Sequence, residues 1–212
     1  MGLYTTKGLY NKYNKNHLER EKTDYYATPT KEVENILSTL NINFSCQTIL
    51  EPCCGGGHII KGINNYLQEK NNHHVNLIAT DMYSHPTILD FNYLIGEEYD
   101  FISDNYPIIK NIDWIITNPP YSIVEPFTIR ALEIAEKGVV MLGRLQFLEG
   151  KSRYDNILKE NPPSEVYVYV DRINCLKNGK EPNHSSAQAY AWFIWRKENN
   201  NKDTIVKWIR RK

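Results

Sequence analysis

Asp113-Trp114-Ile115-Ile116-Thr117-Asn118-Pro119-Pro120-Tyr121 decides how the rest of the chain is read. Trp114, Ile115 and Ile116 run together without polar alternation, the pattern of a parallel strand covered on both faces. Pro119 and Pro120 then stop the strand, because proline has no N–H to donate and fixes φ near about −65°. Asn118 and Tyr121 are left at the carboxyl end of a central strand, where open α/β sheets place their ligands. By residue type alone the tetrapeptide also serves as a strand-ending turn, since Asn and Pro are common turn residues.

Upstream, residues 48–59 (Thr-Ile-Leu-Glu-Pro-Cys-Cys-Gly-Gly-Gly-His-Ile) read as a short strand, a glycine turn and the start of a helix carrying Ile59, Ile60, Ile63 and Leu67. Gly55 and Gly57 permit close backbone approach to a ligand. Ile60 stands where a dinucleotide fingerprint needs its third glycine, and no Gly-Lys-Ser/Thr follows, so neither that fingerprint nor a P-loop is present. Residues 75–81 predict the next strand, with Asp81 at its carboxyl end. An acid there meets ribose hydroxyls in nucleoside-binding folds, and equally serves as an N-cap. Asp100-Phe101-Ile102 predicts a further short strand, and the segment 82–97 before it shows no long helix. Earlier still, Thr28 and Pro29 fit the N-cap and first position of a helix bearing Val33, Ile36, Leu37 and Leu40.

Downstream, residues 123–137 carry a helical rhythm with Gly138 as its left-handed cap. Val139 to Leu145 predicts a buried strand that leaves Arg144, Gln146 and Phe147 near its end. A helix near 152–160, strands at 166–170 and 189–195, and a hairpin from the latter into 204–209 complete the pattern.

Composition is that of a globular domain: hydrophobic residues make 41% and charged residues 24% of 212. Lys plus Arg equals Asp plus Glu at 25 each, so a nucleic-acid partner would have to meet a local basic face. No apolar run reaches transmembrane length and the N-terminus lacks an apolar signal core. Four cysteines, two of them adjacent, form no disulfide framework or zinc pattern, and the histidines have no ligand spacing. A soluble cytoplasmic protein without a metal is expected. Residues 1–22 are polar and rich in Tyr and Lys, either a loose tail or an arm on a nucleic-acid backbone.

Asn118-Pro119-Pro120-Tyr121 resembles the catalytic motif of S-adenosylmethionine-dependent amino-methyltransferases, above all DNA adenine-N6 methyltransferases. The exocyclic amine of a purine is a poor nucleophile, its lone pair being delocalised into the ring. The resemblance implies that the Asn118 oxygen and the Pro119 carbonyl accept its hydrogens while Tyr121 stacks on the base, catalysis by preorganised dipoles. Glu51-Pro52-x-x-Gly55-x-Gly57 is similar to the cofactor loop of the same enzymes, with Glu51 near the methionine portion. Tyr26-x-Thr28-Pro29 resembles their cofactor-contacting segment. By the same resemblance Asp100 meets the cofactor's adenine, beside Phe101, with Asp104 as a competing candidate.

The order of motifs is that of one subgroup of adenine methyltransferases, and the resemblance spans residues 24–196. It implies a Rossmann-like methyltransferase fold: a mostly parallel seven-stranded sheet with an antiparallel edge hairpin, in one catalytic domain over 23–212. Fewer than about 70 residues separate the glycine turn from Asn118, too few for a recognition domain, as in small phage-borne methyltransferases. Arg144, Arg172, Lys177 and Lys180 are the candidates for DNA backbone contact, and a stringent target site would imply a partner subunit or second protomer. Ile173, Asn174 and Cys175 stand where an aromatic flanking the target base is expected. RNA adenine and protein glutamine amides remain alternative targets, and a non-catalytic binding protein an alternative class.

Overall fold

The computed structural model describes residues 26–83, 94–96, 99–107, 110–177, 188–198 and 202–212. Ten strands are described: β1 (Tyr26–Ala27), β2 (Thr48–Glu51), β3 (Asn76–Thr80), β4 (Leu94–Gly96), β5 (Trp114–Thr117), β6 (Gly138–Arg144), β7 (Glu165–Tyr169), β8 (Leu176–Lys177), β9 (Tyr190–Arg196) and β10 (Ile205–Ile209). The helices are α1 (Thr30–Leu40), α2 (His58–Glu69), α3 (Val124–Ile134) and the single turn α4 (Lys151–Arg153), which runs into a π-turn at Tyr154–Leu158.

Eight strands form one sheet in the order β10-β7-β9-β6-β5-β2-β3-β4. All neighbours are parallel except β9, which lies antiparallel between β6 and β7. This is the expected mostly parallel α/β sheet, with two differences. The terminal strands do not form a hairpin with each other: β10 pairs parallel with β7, Val206 opposite Val166, and so adds an eighth strand at the edge. Residues 100–106 are turns rather than a strand, and the strand beside β3 is β4.

The apolar runs are continuous because alternate residues feed two cores. Trp114, Ile116, Val140, Leu142, Trp192 and Ile194 pack with α1 and α2 on one face of the sheet. Ile115, Val139, Met141, Phe193 and Trp195 pack with Phe127 and Ala131 of α3 on the other. Two end assignments differ from expectation. α3 stops at Ile134 and is capped by Ala135 in an extended conformation, while Gly138 opens β6. A Cβ on Gly138 would collide with the Trp195 carbonyl and the Trp114 ring, so its need for glycine is steric. α1 has Pro29 in the capping position and no side-chain cap, so Thr28 does not serve as one.

β1 lies apart from the main sheet and pairs antiparallel with β8, Tyr26 opposite Lys177 and Ala27 opposite Leu176. This clasp draws the Tyr26-x-Thr28 segment to the start of the loop that follows β7. Among the described residues no helix is long and apolar enough to cross a membrane. None of their His, Cys, Asp and Glu side chains group in a way that could hold a metal.

Candidate functional site

The parallel strands β2, β3, β5 and β6 end on one edge of the sheet, and their following residues converge there. β2 ends in Glu51, fully buried, and the chain turns through Gly55 (φ 49°) and Gly57 (φ 84°) into α2. Both glycines occupy the left-handed region that side chains strain to adopt. The Gly57 N–H donates back to the Cys54 carbonyl (2.8 Å), and the Cys54 N–H to the Thr80 carbonyl at the end of β3 (3.0 Å). Asp81 fixes the turn from the other side. Its Oδ2 accepts from the Gly55 N–H (2.7 Å) and its Oδ1 from the Tyr83 N–H (2.9 Å).

Glu51 Oε1 accepts from the Thr117 hydroxyl (2.9 Å) and from the Cys53 N–H and thiol (both 3.3 Å). Its Oε2 is buried and has no partner. Burial pushes the carboxyl up from 4.5 to about 8, the hydrogen bonds from Thr117 and Cys53 offsetting only part of the cost of removing it from water. Cys53 joins the glycine turn to the end of β5: its Sγ lies 3.0 Å from Thr117 Oγ1 and 3.4 Å from the Asn118 carbonyl. Burial, then the Glu51 charge, holds this thiol well above its ordinary range, so it is a packing and hydrogen-bonding group.

At the end of β5, Asn118 Nδ2 donates to the Tyr26 carbonyl of the clasp (3.0 Å). That contact sets the amide's orientation, since the reverse would place two oxygens together. Asn118 Oδ1 is consequently turned away, buried and without a partner. Pro119 is buried, and Pro120 caps the short 3-10 turn Tyr121–Ile123. Tyr121 is ringed by aromatics, its centroid 6.3 Å from Tyr26 and 6.1 Å from Tyr190. The Arg144 guanidinium at the end of β6 lies 4.3 Å over its ring. Burial drives the Tyr121 phenol far above its ordinary value, and the hydroxyl has no partner.

Unpartnered buried polar atoms are rare in folded proteins. Here Thr28 Oγ1, Glu51 Oε2, Asn118 Oδ1, Tyr121 Oη and Arg144 Nε all sit in these segments, within one clasp, one glycine turn and two adjacent strand ends.

No family model and no curated protein sequence matches the chain. Solved structures do. A candidate class I S-adenosylmethionine-dependent methyltransferase from Listeria monocytogenes superposes with a TM-score of 0.66 at 12% identity, covering 96% of this chain and 72% of that one. The fold is that of class I methyltransferases.

The methyltransferase subunit of a type I restriction-modification system from Streptococcus thermophilus gives a TM-score of 0.62 at 14% identity over 99% of this chain. The M protein of the type I restriction enzyme EcoKI gives 0.62 at 12% over 93%. The chain spans about half of these two subunits' length, 52% and 50%. In the methyltransferase fold described here, Tyr26, Thr28, Glu51, Pro52, Gly55, Gly57, Asp81, Asn118, Pro119, Pro120, Tyr121 and Arg144 come together at the carboxyl edge. Asp100 lies near, because the Tyr99 N–H donates to the Asp81 carbonyl (3.0 Å), and its Oδ1 accepts from the Ile102 N–H (3.2 Å). Asp104 is exposed on the same run of turns. Phe101 is committed to the core, 4.5 Å from Phe127 and 5.2 Å from Tyr106 between centroids. Arg172 is exposed, and its carbonyl accepts from Arg211 (3.4 Å). Lys177 has its backbone in the clasp; Lys180 and the arm 1–22 lie outside the described residues.

Two contributors escaped the sequence reading. Thr117 holds Glu51 and Cys53, and the signal was a hydroxyl in an otherwise apolar buried strand, which must find a partner. Cys53 stood only among four cysteines without a disulfide or zinc pattern, and nothing in its neighbours announced a bridge between two turns.

Proposed function

We propose that this chain is an S-adenosylmethionine-dependent methyltransferase that methylates the N6 amine of adenine in DNA, with its catalytic domain over residues 23–212. The observation that carries the reading is Asn118: its Nδ2 is tethered to the Tyr26 carbonyl, leaving a buried Oδ1 that waits for a donor. An exocyclic amine is such a donor. Accepting its hydrogens at Asn118 Oδ1 and the Pro119 carbonyl localises the lone pair on nitrogen and aims it along the sheet edge. Tyr121 offers the aromatic surface for a base taken out of its stack.

The residues present fit the cofactor. Glu51 Oε2 is an unpartnered carboxylate oxygen suited to a cationic methionine end, and Thr28 Oγ1 is a second unpartnered group. Gly55 and Gly57 expose backbone where a side chain would intrude, and Asp81 and Asp100 supply acceptors for ribose and adenine. When bound, the cofactor supplies a methyl group activated on a sulfonium. The Cys53–Thr117–Glu51 network keeps the cofactor turn and the amine-binding turn in fixed relation. Arg172, Lys177 and Lys180 of the loop after β7 would grip the DNA backbone, and a stringent target would be read by a partner subunit or second protomer.

The test is labelled methyl transfer offered in parallel to unmethylated mixed-sequence DNA, to RNA and to glutamine-containing protein, with label expected in DNA. Label confined to RNA or protein would redirect the assignment. Gly55→Val and Gly57→Val should each abolish cofactor binding by calorimetry while the circular dichroism spectrum persists. Unchanged binding in both variants would displace the cofactor site from this turn.

A further inference from the structure

Arg144 is an expected phosphate contact, yet it is turned inward. It is the last residue of β6, opposite Tyr190 in the ladder with β9, and its guanidinium covers the Tyr121 ring at 4.3 Å. Its Nε is buried without a hydrogen-bond partner, and among the described residues no carboxylate lies within ion-pair distance of it. A half-buried cation with no counter-charge is held here by the Tyr121 ring beneath it and the Tyr190 phenol beside it. Among the described residues no aromatic faces Tyr121 from the segment after β7, where Ile173 and Cys175 are buried in the core. The aromatic surface that a flipped base needs is therefore already covered, by a planar group.

The spacing allows one layer, not two. A base between Tyr121 and Arg144 needs the two planes about 7–8 Å apart, two van der Waals layers. A long unbranched side chain can withdraw by that difference; a ring fixed in the core cannot. We propose that Arg144 is the second wall of the base pocket: its guanidinium holds the place of the base on Tyr121, then stacks on the base's outer face once the base has entered. Guanidinium planes stack on bases as aromatic side chains do. This inference rests on the proposed base methylation.

The two roles of Arg144, phosphate contact and base wall, respond oppositely to substitution. Steady-state methyl transfer into unmethylated mixed-sequence DNA is measured for wild type, Arg144→Ala, Arg144→Lys and Arg144→Phe. Cofactor affinity by calorimetry serves as the check that each variant is folded. As a base wall, Arg144→Ala raises KM for DNA about 10- to 100-fold, the loss of one stacked layer, with a far smaller change in kcat. Arg144→Phe restores KM to within a few fold of wild type, whereas Arg144→Lys does not, and the salt dependence of KM is unchanged in all of them. Rescue by Lys with failure of Phe, accompanied by a salt slope reduced by about one, would make Arg144 a phosphate contact and overturn the proposal. So would a KM for Arg144→Ala equal to wild type. Absence of transfer by wild type itself would instead bring down the base-methylation reading, and this inference with it. If Arg144→Ala loses cofactor binding, the Phe and Lys variants alone decide between the outcomes.

Discussion

Glu51 concentrates the electrostatic cost of the site in one carboxyl group. Its folded pKa is about 8 against an ordinary 4.5, raised by burial. The folded state therefore holds this proton more tightly than the unfolded chain does. Stability from the group is fully present below the unfolded value and is lost as pH rises through about 8. Glu51→Gln keeps a neutral acceptor and removes the titration. Urea unfolding should give the variant a relative gain of roughly 3–5 kcal/mol above that pH, and little difference in acid. Equal pH dependence in both proteins would mean that Glu51 does not titrate as its burial dictates. The same carboxyl should ionise when a cationic cofactor docks against Oε2. Calorimetric binding near neutral pH should release a fraction of a proton approaching one, seen as a dependence on buffer ionisation enthalpy that Glu51→Gln lacks.

At the level of elements, α1 and α2 meet because Gly62 has no side chain. A Cβ there would lie 2.6 Å from Val33 Cβ and 2.8 Å from the Thr30 carbonyl oxygen. Alanine is the better helix former by about 1 kcal/mol, but overpacking costs about 1–3 kcal/mol, so Gly62→Ala should destabilise. A rise in melting temperature would show that the helices can separate without loss. The β2 strand, the glycine turn and α2 were legible from sequence because periodicity and turn chemistry are local. The partner of β10 was not: a hairpin with the strand before it was expected, whereas β10 crosses to pair parallel with β7, a choice made by distant strands. Asn118 was legible through the prolines behind it. Its tether to Tyr26, about ninety residues away, and the Arg144 stack on Tyr121 depend on which strand ends become neighbours, and no short-range pattern encodes that. Gly138 was misassigned as a helix cap because a glycine's steric role against Trp114 and Trp195 looks, in sequence, like its conformational one.

Over the whole molecule, positive and negative side chains balance at 25 each, so any grip on DNA is local. The basic candidates outside the pocket are Arg172, exposed on the surface, with Lys177 and Lys180 after it. Contacts of that kind fall on phosphates and carry no sequence information. Neutralising Lys177 and Lys180 together should weaken binding to all DNA sequences alike and reduce the slope of log affinity against log salt by about two. Loss confined to one sequence would instead make the loop a base reader. The proposed reaction turns on an amine meeting Asn118 Oδ1. Its most direct test is the appearance of N6-methyladenine in DNA incubated with cofactor, quantified after digestion, for wild type and Asn118→Ala. Wild type should produce N6-methyladenine. The variant should bind cofactor normally and turn over roughly 30- to 1000-fold more slowly, the loss of a transition-state hydrogen bond of about 2–4 kcal/mol. Full activity in Asn118→Ala, or methyl transferred to a group other than an amine, would contradict it.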